Sequence, residues 1–535
     1  MMLERVTDKD ILNQIKLAKS YFNDKKYDEA ILIYKELTAK VPDKYSFDKS
    51  EIYRNLGNCY YYLKDFEKAI PAYEENIRLH GDSITILNML GYLYFYIDRD
   101  KSVENYLKTM AIKPDIRHFV MLTQVLIKDR NFSQKNLKEI FERYVDIFRP
   151  EILGDTKPFQ YNPEDYDRNK KLRIGYLSSD FHCHAMMTFV LPILENHNQE
   201  LFDICLYSCD KKSDSTTTRI KTAIPNFYDC KDLTNEELAA KIHNDKIDIL
   251  VDLSGYTHNA VWSLIYKPAP IICQYLGFVG TYGMKEVDYI LTDKLSIPEE
   301  MAKYYTEKPL YIECGMNRFT FNSKGTKLPA ISELPYEKNG YVTFGSFNCM
   351  SKINKYTVNL WSKILKKDTD AKLLFYRTQM NEYDIKRLKK QFAECGITED
   401  RLQFRNDKME QNHFNCYSLC DIALDPTPFS GLTITIEQAL MGIPTLTLPW
   451  ETIASKGAAR VNTALEMDGM IAKDDEDFVQ IGADIKNHMD EIRWLRQNLR
   501  KITLNSPICR GYKQYTETIE KCYVEIWQHF CNNNP

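Results

Sequence analysis

The sequence predicts an α-helical repeat array followed by two lobes of parallel β/α structure, and three observations carry that reading. Small and aromatic residues recur at a fixed interval through the first 115 positions, with Gly57 and Gly91 standing 34 residues apart. From Leu172 onward, short β-rich runs alternate with helical stretches, the pattern of parallel β/α units. The alternation restarts after about 330, giving a second such lobe. At 535 residues the chain is too long for one hydrophobic core. A hydrophobic fraction of 44% with only 20 Gly and 20 Pro excludes disordered and collagen-like classes. Lys+Arg 71 against Asp+Glu 75 leaves a net charge of −4, so no basic field argues for nucleic acid.

The opening residues, MMLERVTDKDILNQIK, meet charge at once and leave no apolar core for a signal peptide. No run reaches the roughly 18 apolar residues of a membrane helix. The 14 cysteines include no CxxC pair, and Cys205/Cys209 and Cys416/Cys420 lack paired histidines. A soluble cytoplasmic protein with reduced thiols is expected, without membrane insertion, zinc site or disulfide framework.

The repeats come first. Ala18-x-x-Tyr21, Tyr27, Ala30, Tyr34 and Pro42 form one skeleton, and Leu56-Gly57-x-x-Tyr60, Phe66, Ala69 and Tyr73 the next. The third reads Leu90-Gly91-x-x-Tyr94, Ser102, Tyr106 and Pro114 after losing one residue in its inter-helix turn. This is the tetratricopeptide period: small residues let paired helices approach, aromatics fill the holes, and proline ends the second helix. With a capping stretch at about 117 to 147, the array is expected over 11–148. Pro150, Pro158, Pro163 and a charged run mark 149–170 as a linker.

The first lobe, 171–330, is read from strands at Leu172–Ser178, Phe202–Tyr207 and Ile247–Leu253, with a helix at 233 to 244. The second, 331–535, has strands at Tyr341–Phe347, Ala371–Tyr376, Leu402–Phe404, Asp421–Leu424 and Thr445–Leu448 before its closing helices. A ligand cleft is expected where the C-terminal strand ends of the two lobes face each other.

Candidate chemistry gathers at such strand ends. In Asp421-Ile-Ala-Leu-Asp-Pro-Thr-Pro-Phe-Ser-Gly-Leu-Thr-Ile-Thr-Ile-Glu437 a buried strand runs into a Pro/Ser/Gly loop, and a helix opens near Thr433. Free backbone N–H groups and the positive helix end there suit a diphosphate. Glu437 suits ribose hydroxyls, or else stabilises its own helix start; a capping box is disfavoured because Ile434 stands three residues earlier. Lys352 follows a strand and can neutralise a departing diphosphate, although a lone lysine is ordinarily solvated surface. The turn Leu276-Gly-Phe-Val-Gly-Thr-Tyr-Gly283 brings backbone towards a ligand or only satisfies turn geometry. His182 and His184 follow the first strand, either one a candidate general base, and His413 precedes Tyr417 on a later helix. The acidic triplets at Asp368/Asp370 and Asp475/Asp477 are poorly placed for a metal in the cleft.

Taken in order, Arg173-Ile-Gly-Tyr-Leu-Ser-Ser-Asp-Phe-x-x-His184, Lys267-Pro-Ala-Pro270, Leu276-Gly-Phe-x-Gly-Thr281, Thr343-Phe-Gly-Ser-Phe-Asn348 and Gly431-x-Thr433 followed by Glu437 resemble the O-linked N-acetylglucosamine transferases, the family that includes the plant Spindly proteins. The resemblance spans about residue 15 to Phe530. It implies a GT-B fold, a UDP-activated sugar as co-substrate, no cofactor or metal, and inverting transfer to protein side chains. His184 matches the histidine near the attacking hydroxyl, Lys352 the lysine at the diphosphate, Thr433 the helix-start threonine, Glu437 the acidic ribose contact and His413 a histidine near the uracil. Gly280, Thr281, Gly431 and Leu432 complete the expected substrate-binding set. Leu432 and Ile434 stand where animal members carry His and Thr, and Asp248 where they carry His, while the long insert between the lobes has no room here. The expected reaction is transfer of N-acetylglucosamine to Ser or Thr. The alternatives are asparagine N-glucosylation within the same family, or a non-catalytic UDP-sugar-binding scaffold. The expected partner is a polypeptide docked on the repeats, flagellin or another surface protein of a bacterium being one candidate.

Overall fold

The computed structural model describes residues 6–320, 327–409 and 413–532, which divide into two compact units. The first comprises the chain up to Val125 together with Gln379–Glu394. It contains three antiparallel helix pairs, α1 (Lys9–Asn23) with α2 (Tyr27–Lys40), α3 (Ser46–Tyr62) with α4 (Phe66–His80), and α5 (Ile84–Tyr94) with α6 (Arg99–Ile112), followed by α7 (Ile116–Leu126). The expected skeleton is the core of this unit: Ala18, Ala30, Tyr34, Tyr60, Ala69, Tyr73, Tyr94 and Tyr106 are all buried. Pro42 and Pro114 follow directly on the ends of α2 and α6.

The glycines of the repeat have a steric reason. A Cβ on Gly57 would lie 2.7 Å from the Tyr73 ring, and one on Gly91 would lie 2.9 Å from the Tyr106 ring. Both tyrosines are buried, and the Tyr73 hydroxyl is tied to Asn58 Oδ1 at 2.8 Å, so that ring cannot swing aside. Gly57→Val should therefore destabilise the protein by about 1–3 kcal/mol through overpacking between α3 and α4. Chemical denaturation followed by circular dichroism measures this, and an unchanged midpoint would mean that the helices simply move apart.

The second unit holds the remaining elements. It begins with α8 (Gln134–Leu153), started by a capping box between Ser133 and Asn136. The expected repeat region, 11–148, thus spans the first unit and runs into α8, and the expected linker, 149–170, starts in the last turn of that helix. The linker is held down along its length: the Phe159 N–H donates to the Tyr266 carbonyl at 2.9 Å and Tyr161 Oη to the Lys267 carbonyl at 3.1 Å.

The first lobe then runs β1 (Leu172–Ser178), α9 (Met187–Asn196), β2 (Phe202–Ser208), α10 (Ser215–Ala223), β3 (Phe227–Asp229), α11 (Asn235–Asn244), β4 (Ile249–Asp252), β5 (Ile271–Gln274), β6 (Tyr289–Thr292) and β7 (Lys308–Tyr311). These make one parallel seven-stranded sheet in the order β3-β2-β1-β4-β5-β6-β7. In chain order the second lobe runs α12 (Tyr336–Asn339), β8 (Thr343–Ser346), α13 (Lys355–Lys367), β9 (Lys372–Tyr376), β10 (Leu402–Arg405), β11 (Ile422–Leu424), α15 (Thr433–Leu440) and β12 (Thr445–Leu446), with α14 (Glu382–Glu394), which belongs to the first unit, interposed between β9 and β10. Its five strands are parallel in the order β10-β9-β8-β11-β12. Helices α16 (Gly457–Ala464), α17 (Asp475–Asp484) and α18 (Met489–Asn505) complete it.

The last helix, α19 (Tyr512–Asn532), returns to the first lobe and packs on α9. Tyr523 Oη lies 3.1 Å from Tyr176 Oη, Glu520 Oε1 lies 2.9 Å from His197 Nδ1, and Trp527 Nε1 donates to the Asp167 carbonyl at 3.3 Å. Among the described residues no helix is long and apolar enough to cross a membrane.

Candidate active site

The site is built where β11 hands over to α15. The residue after β11, Asp425, is 2% exposed. Its Oδ1 accepts the Gly431 N–H at 2.8 Å, and its Oδ2 accepts Ser430 Oγ at 2.5 Å and Thr447 Oγ1 at 2.8 Å. The Ser430 hydroxyl in turn accepts the Ala458 N–H at 2.8 Å. One buried carboxylate thus fixes the loop that delivers the chain to the helix. Burial pushes its pKa up to about 6, while the bonds from Ser430, Gly431 and Thr447 and the charge of Lys352 act the other way. Close packing needs glycine here: a Cβ on Gly457 would sit 2.9 Å from the Gly431 carbonyl oxygen.

Lys352 reaches this loop from the end of β8. Its Nζ donates to the Ser430 carbonyl at 2.9 Å and to Asn348 Oδ1 at 3.3 Å, and lies 4.6 Å from the centre of the Phe429 ring. Burial pushes its pKa down to about 8, with Asp425 opposing the shift. The helix it faces starts at Thr433 after Leu432, whose side chain makes no capping bond, so no side chain of that cap takes up the first N–H groups. An ammonium, a glycine loop and a positive helix end are the elements from which anion sites are built.

Glu437 lies one turn into α15, on a cavity of about 470 Å³ also lined by Phe347, Tyr376, Arg377, His413 and Tyr417. Tyr417 Oη donates to Glu437 Oε2 at 2.6 Å, and His413 Nε2 is 3.4 Å from Oε1. Burial, then the Glu437 charge, raises the Tyr417 pKa well above its ordinary value, so this hydroxyl stays protonated and donates. One carboxylate oxygen is held, and the other faces the cavity that His413 shares. Glu437 and His413 thus share one cavity, while Lys352 is bonded to the loop that carries Gly431 and Leu432 into the same helix at Thr433.

The remaining expected residues lie in the first lobe. His184, half-exposed after β1, has Nδ1 3.6 Å from Asp180 Oδ2 and accepts the Met186 N–H at 3.4 Å. His182 is buried, 3.7 Å from Asp210. The Gly280 carbonyl accepts from Gln274 Nε2 at 2.8 Å. The Thr281 hydroxyl is fully buried and donates to Glu307 Oε2 at 2.7 Å. Leu432 and Ile436 also line a second, mostly apolar cavity of about 460 Å³ with Met316, Arg318, Arg460 and Ile508.

The sequence reading did not single out Asp425, Ser430, Asn348, Tyr417 or Arg377 as functional. Asp425 had a visible signal, an acidic residue ending a buried strand before a Pro/Ser/Gly loop. The others are assembled only by the fold, as with the 78 positions that separate Lys352 from Ser430.

Two parallel α/β lobes, with an uncapped helix start beside a lysine and a carboxylate-lined cavity at the strand ends of the second, define a GT-B glycosyltransferase architecture. The solved O-GlcNAc transferase mutant of Thermobaculum terrenum shares this fold, with a TM-score of 0.77 over 98% of this chain and 99% of that one at 22% identity. The chain belongs to glycosyl transferase family 41, whose sequence model matches residues 133–320 and 331–519. Tetratricopeptide repeat models match 13–44 and 50–83. Among curated relatives, SPINDLY of Oryza sativa subsp. japonica, described as a probable UDP-N-acetylglucosamine–peptide N-acetylglucosaminyltransferase, is 27% identical over 447 residues, 81% of this chain and 47% of that protein. SEC of Arabidopsis thaliana, described in the same words, is 27% identical over 374 residues, 68% of this chain and 38% of that protein. The chain spans about half the length, or less, of these relatives.

Proposed function

We propose that this chain is an inverting protein glycosyltransferase that moves N-acetylglucosamine from a UDP-sugar to Ser or Thr of a polypeptide without a metal. The observation that carries the reading is the Lys352–Asp425–Gly431 assembly at the start of α15, set in a chain of family 41. The acceptor hydroxyl oxygen attacks the anomeric carbon from the face opposite UDP. As that bond forms, the bond from the anomeric carbon to the β-phosphate oxygen breaks, and its electron pair leaves with UDP. The hydroxyl proton passes to His184 or through water. Lys352 and the helix start stabilise the charge that develops on the leaving diphosphate. Ribose hydroxyls meet Glu437, and uracil lies towards His413. The repeats present the polypeptide, a cytoplasmic protein or a surface protein such as flagellin before export, and raise its concentration at the sugar.

Turnover of radiolabelled UDP-N-acetylglucosamine with peptide, with and without chelator, tests the reading. Incorporation that is labile to alkali and insensitive to chelator supports it, whereas alkali-stable product points to asparagine. One observation favours a non-catalytic scaffold: Leu432 and Ile434 offer the diphosphate no side-chain donors, and UDP binding without turnover would select that reading. Two substitutions separate binding from chemistry. Glu437→Ala should raise the Kd for UDP about tenfold by losing ribose bonds to a charged acceptor. His184→Ala should leave that Kd unchanged and slow transfer. Titration calorimetry distinguishes them, and equal UDP affinity in wild type and Glu437→Ala would return the glutamate to a helix-start role.

A further inference from the structure

Arg377 stands at the end of β9, on the wall of the cavity that holds Glu437 and Tyr417. Its backbone N–H is anchored to the Arg405 carbonyl at 3.1 Å. Among the described residues, its guanidinium makes one long contact, from Nη1 to the Phe347 carbonyl at 3.5 Å, and no carboxylate pairs with it. Lys352 is different, because the buried Asp425 offsets its charge. Phe347, whose carbonyl the guanidinium meets, precedes Asn348, whose Oδ1 accepts from Lys352 Nζ at 3.3 Å, so one strand end links the arginine on the cavity of Glu437 to the lysine. A guanidinium on a cavity wall with no carboxylate paired to it is suited to an anionic ligand.

We infer that Arg377 is a second cation for the nucleotide, contacting the diphosphate, chiefly its terminal phosphate, from the side opposite the start of α15. This rests on the UDP-sugar reading given above and adds to it a residue and a division of labour. Lys352 and the α15 N–H groups hold one face of the diphosphate. Arg377, whose planar fork suits phosphate oxygens, holds the other, and it supplies charge where Leu432 and Ile434 provide no side-chain donor.

The test is calorimetric titration of uridine, UMP and UDP into the full chain, wild type, Arg377→Met and Arg377→Lys, at one fixed salt concentration. The wild type should gain affinity with each phosphate. Arg377→Met should lose about 10- to 100-fold for UDP and no more than about 3-fold for uridine, and Arg377→Lys should recover part of the loss. Equal losses for uridine and UDP would make Arg377 a packing residue of the base cavity, and an unchanged UDP affinity would remove it from the site. Either result overturns the inference while leaving the UDP-sugar reading in place; a wild type that binds none of the three overturns both. A second measurement guards against a poorly folded variant. Alkylation of Cys349 by iodoacetamide, mapped by peptide mass, should slow in Arg377→Lys far less than in Arg377→Met, because only the latter removes one of the two cations, Arg377 and Lys352, that favour the thiolate. Equal rates in all three proteins would place Arg377 too far from the phosphate side of the cavity.

Discussion

Lys352→Ala is expected to slow sugar transfer by ~30- to 1000-fold, the loss of about 2–4 kcal/mol of transition-state stabilisation, while leaving the fold intact. The lysine is tied to the loop by its bonds to Ser430 and Asn348, but the loop itself is fixed by Asp425 through Ser430, Gly431 and Thr447. Removing the ammonium therefore takes away charge and spares the scaffold. Steady-state kinetics beside a denaturation curve makes the check. Near-normal turnover would exclude Lys352 from the chemistry, and a collapsed denaturation midpoint would make it a structural residue.

The second large effect is on pH. Lys352 in the free protein titrates at about 8, lowered by burial, and a diphosphate favours its charged form. UDP binding above that pH must therefore take up a proton. Affinity should be flat near pH 7 and then fall as pH rises through 8, approaching tenfold per pH unit until the lysine of the complex also deprotonates. The sign is that of a base whose pKa is depressed in the free state and restored by the ligand. Titrations from pH 7 to 9 in buffers of unlike ionisation enthalpy would reveal the proton directly, and Lys352→Met should flatten the profile. A wild-type affinity that does not change with pH would show that the ammonium lies outside the phosphate site.

What the sequence reveals and what it hides divide along physical lines. The helix pairs were legible because Gly57 and Gly91 face tyrosines in a packing contact that repeats, and repetition multiplies the signal. Strand β1 was legible to its ends, and β8 to β12 within two residues at either end, since their apolar runs stand between clear turns. Strands β3, β5, β6 and β7 were not singled out. Of these, β7 is the edge strand of its sheet and carries Pro309, a residue that argues against a strand in the sequence and is accommodated at an edge. At the site, Lys352 and Glu437 could be proposed from their places after a strand and on a helix. The bond from Tyr417 to Glu437 and the position of Arg377 depend on how distant segments meet, which no local spacing encodes.

Helix α14 connects two adjacent strands of the second lobe, yet it packs within the repeat unit, where the Tyr383 ring meets Phe66 edge-on with centroids 4.9 Å apart. The repeat unit is thus discontinuous in sequence, and a single cut cannot excise it. A fragment beginning after Val125 would leave α14 stripped of the surface that buries it, a nucleus for self-association. It would also loosen the tether of Arg377, which lies five residues before the first residue of α14. Domain-deletion experiments on this chain therefore need a redesigned, polar α14 or a short bypass from β9 to β10. Without one, loss of activity would report a damaged sheet connection as readily as a missing docking platform.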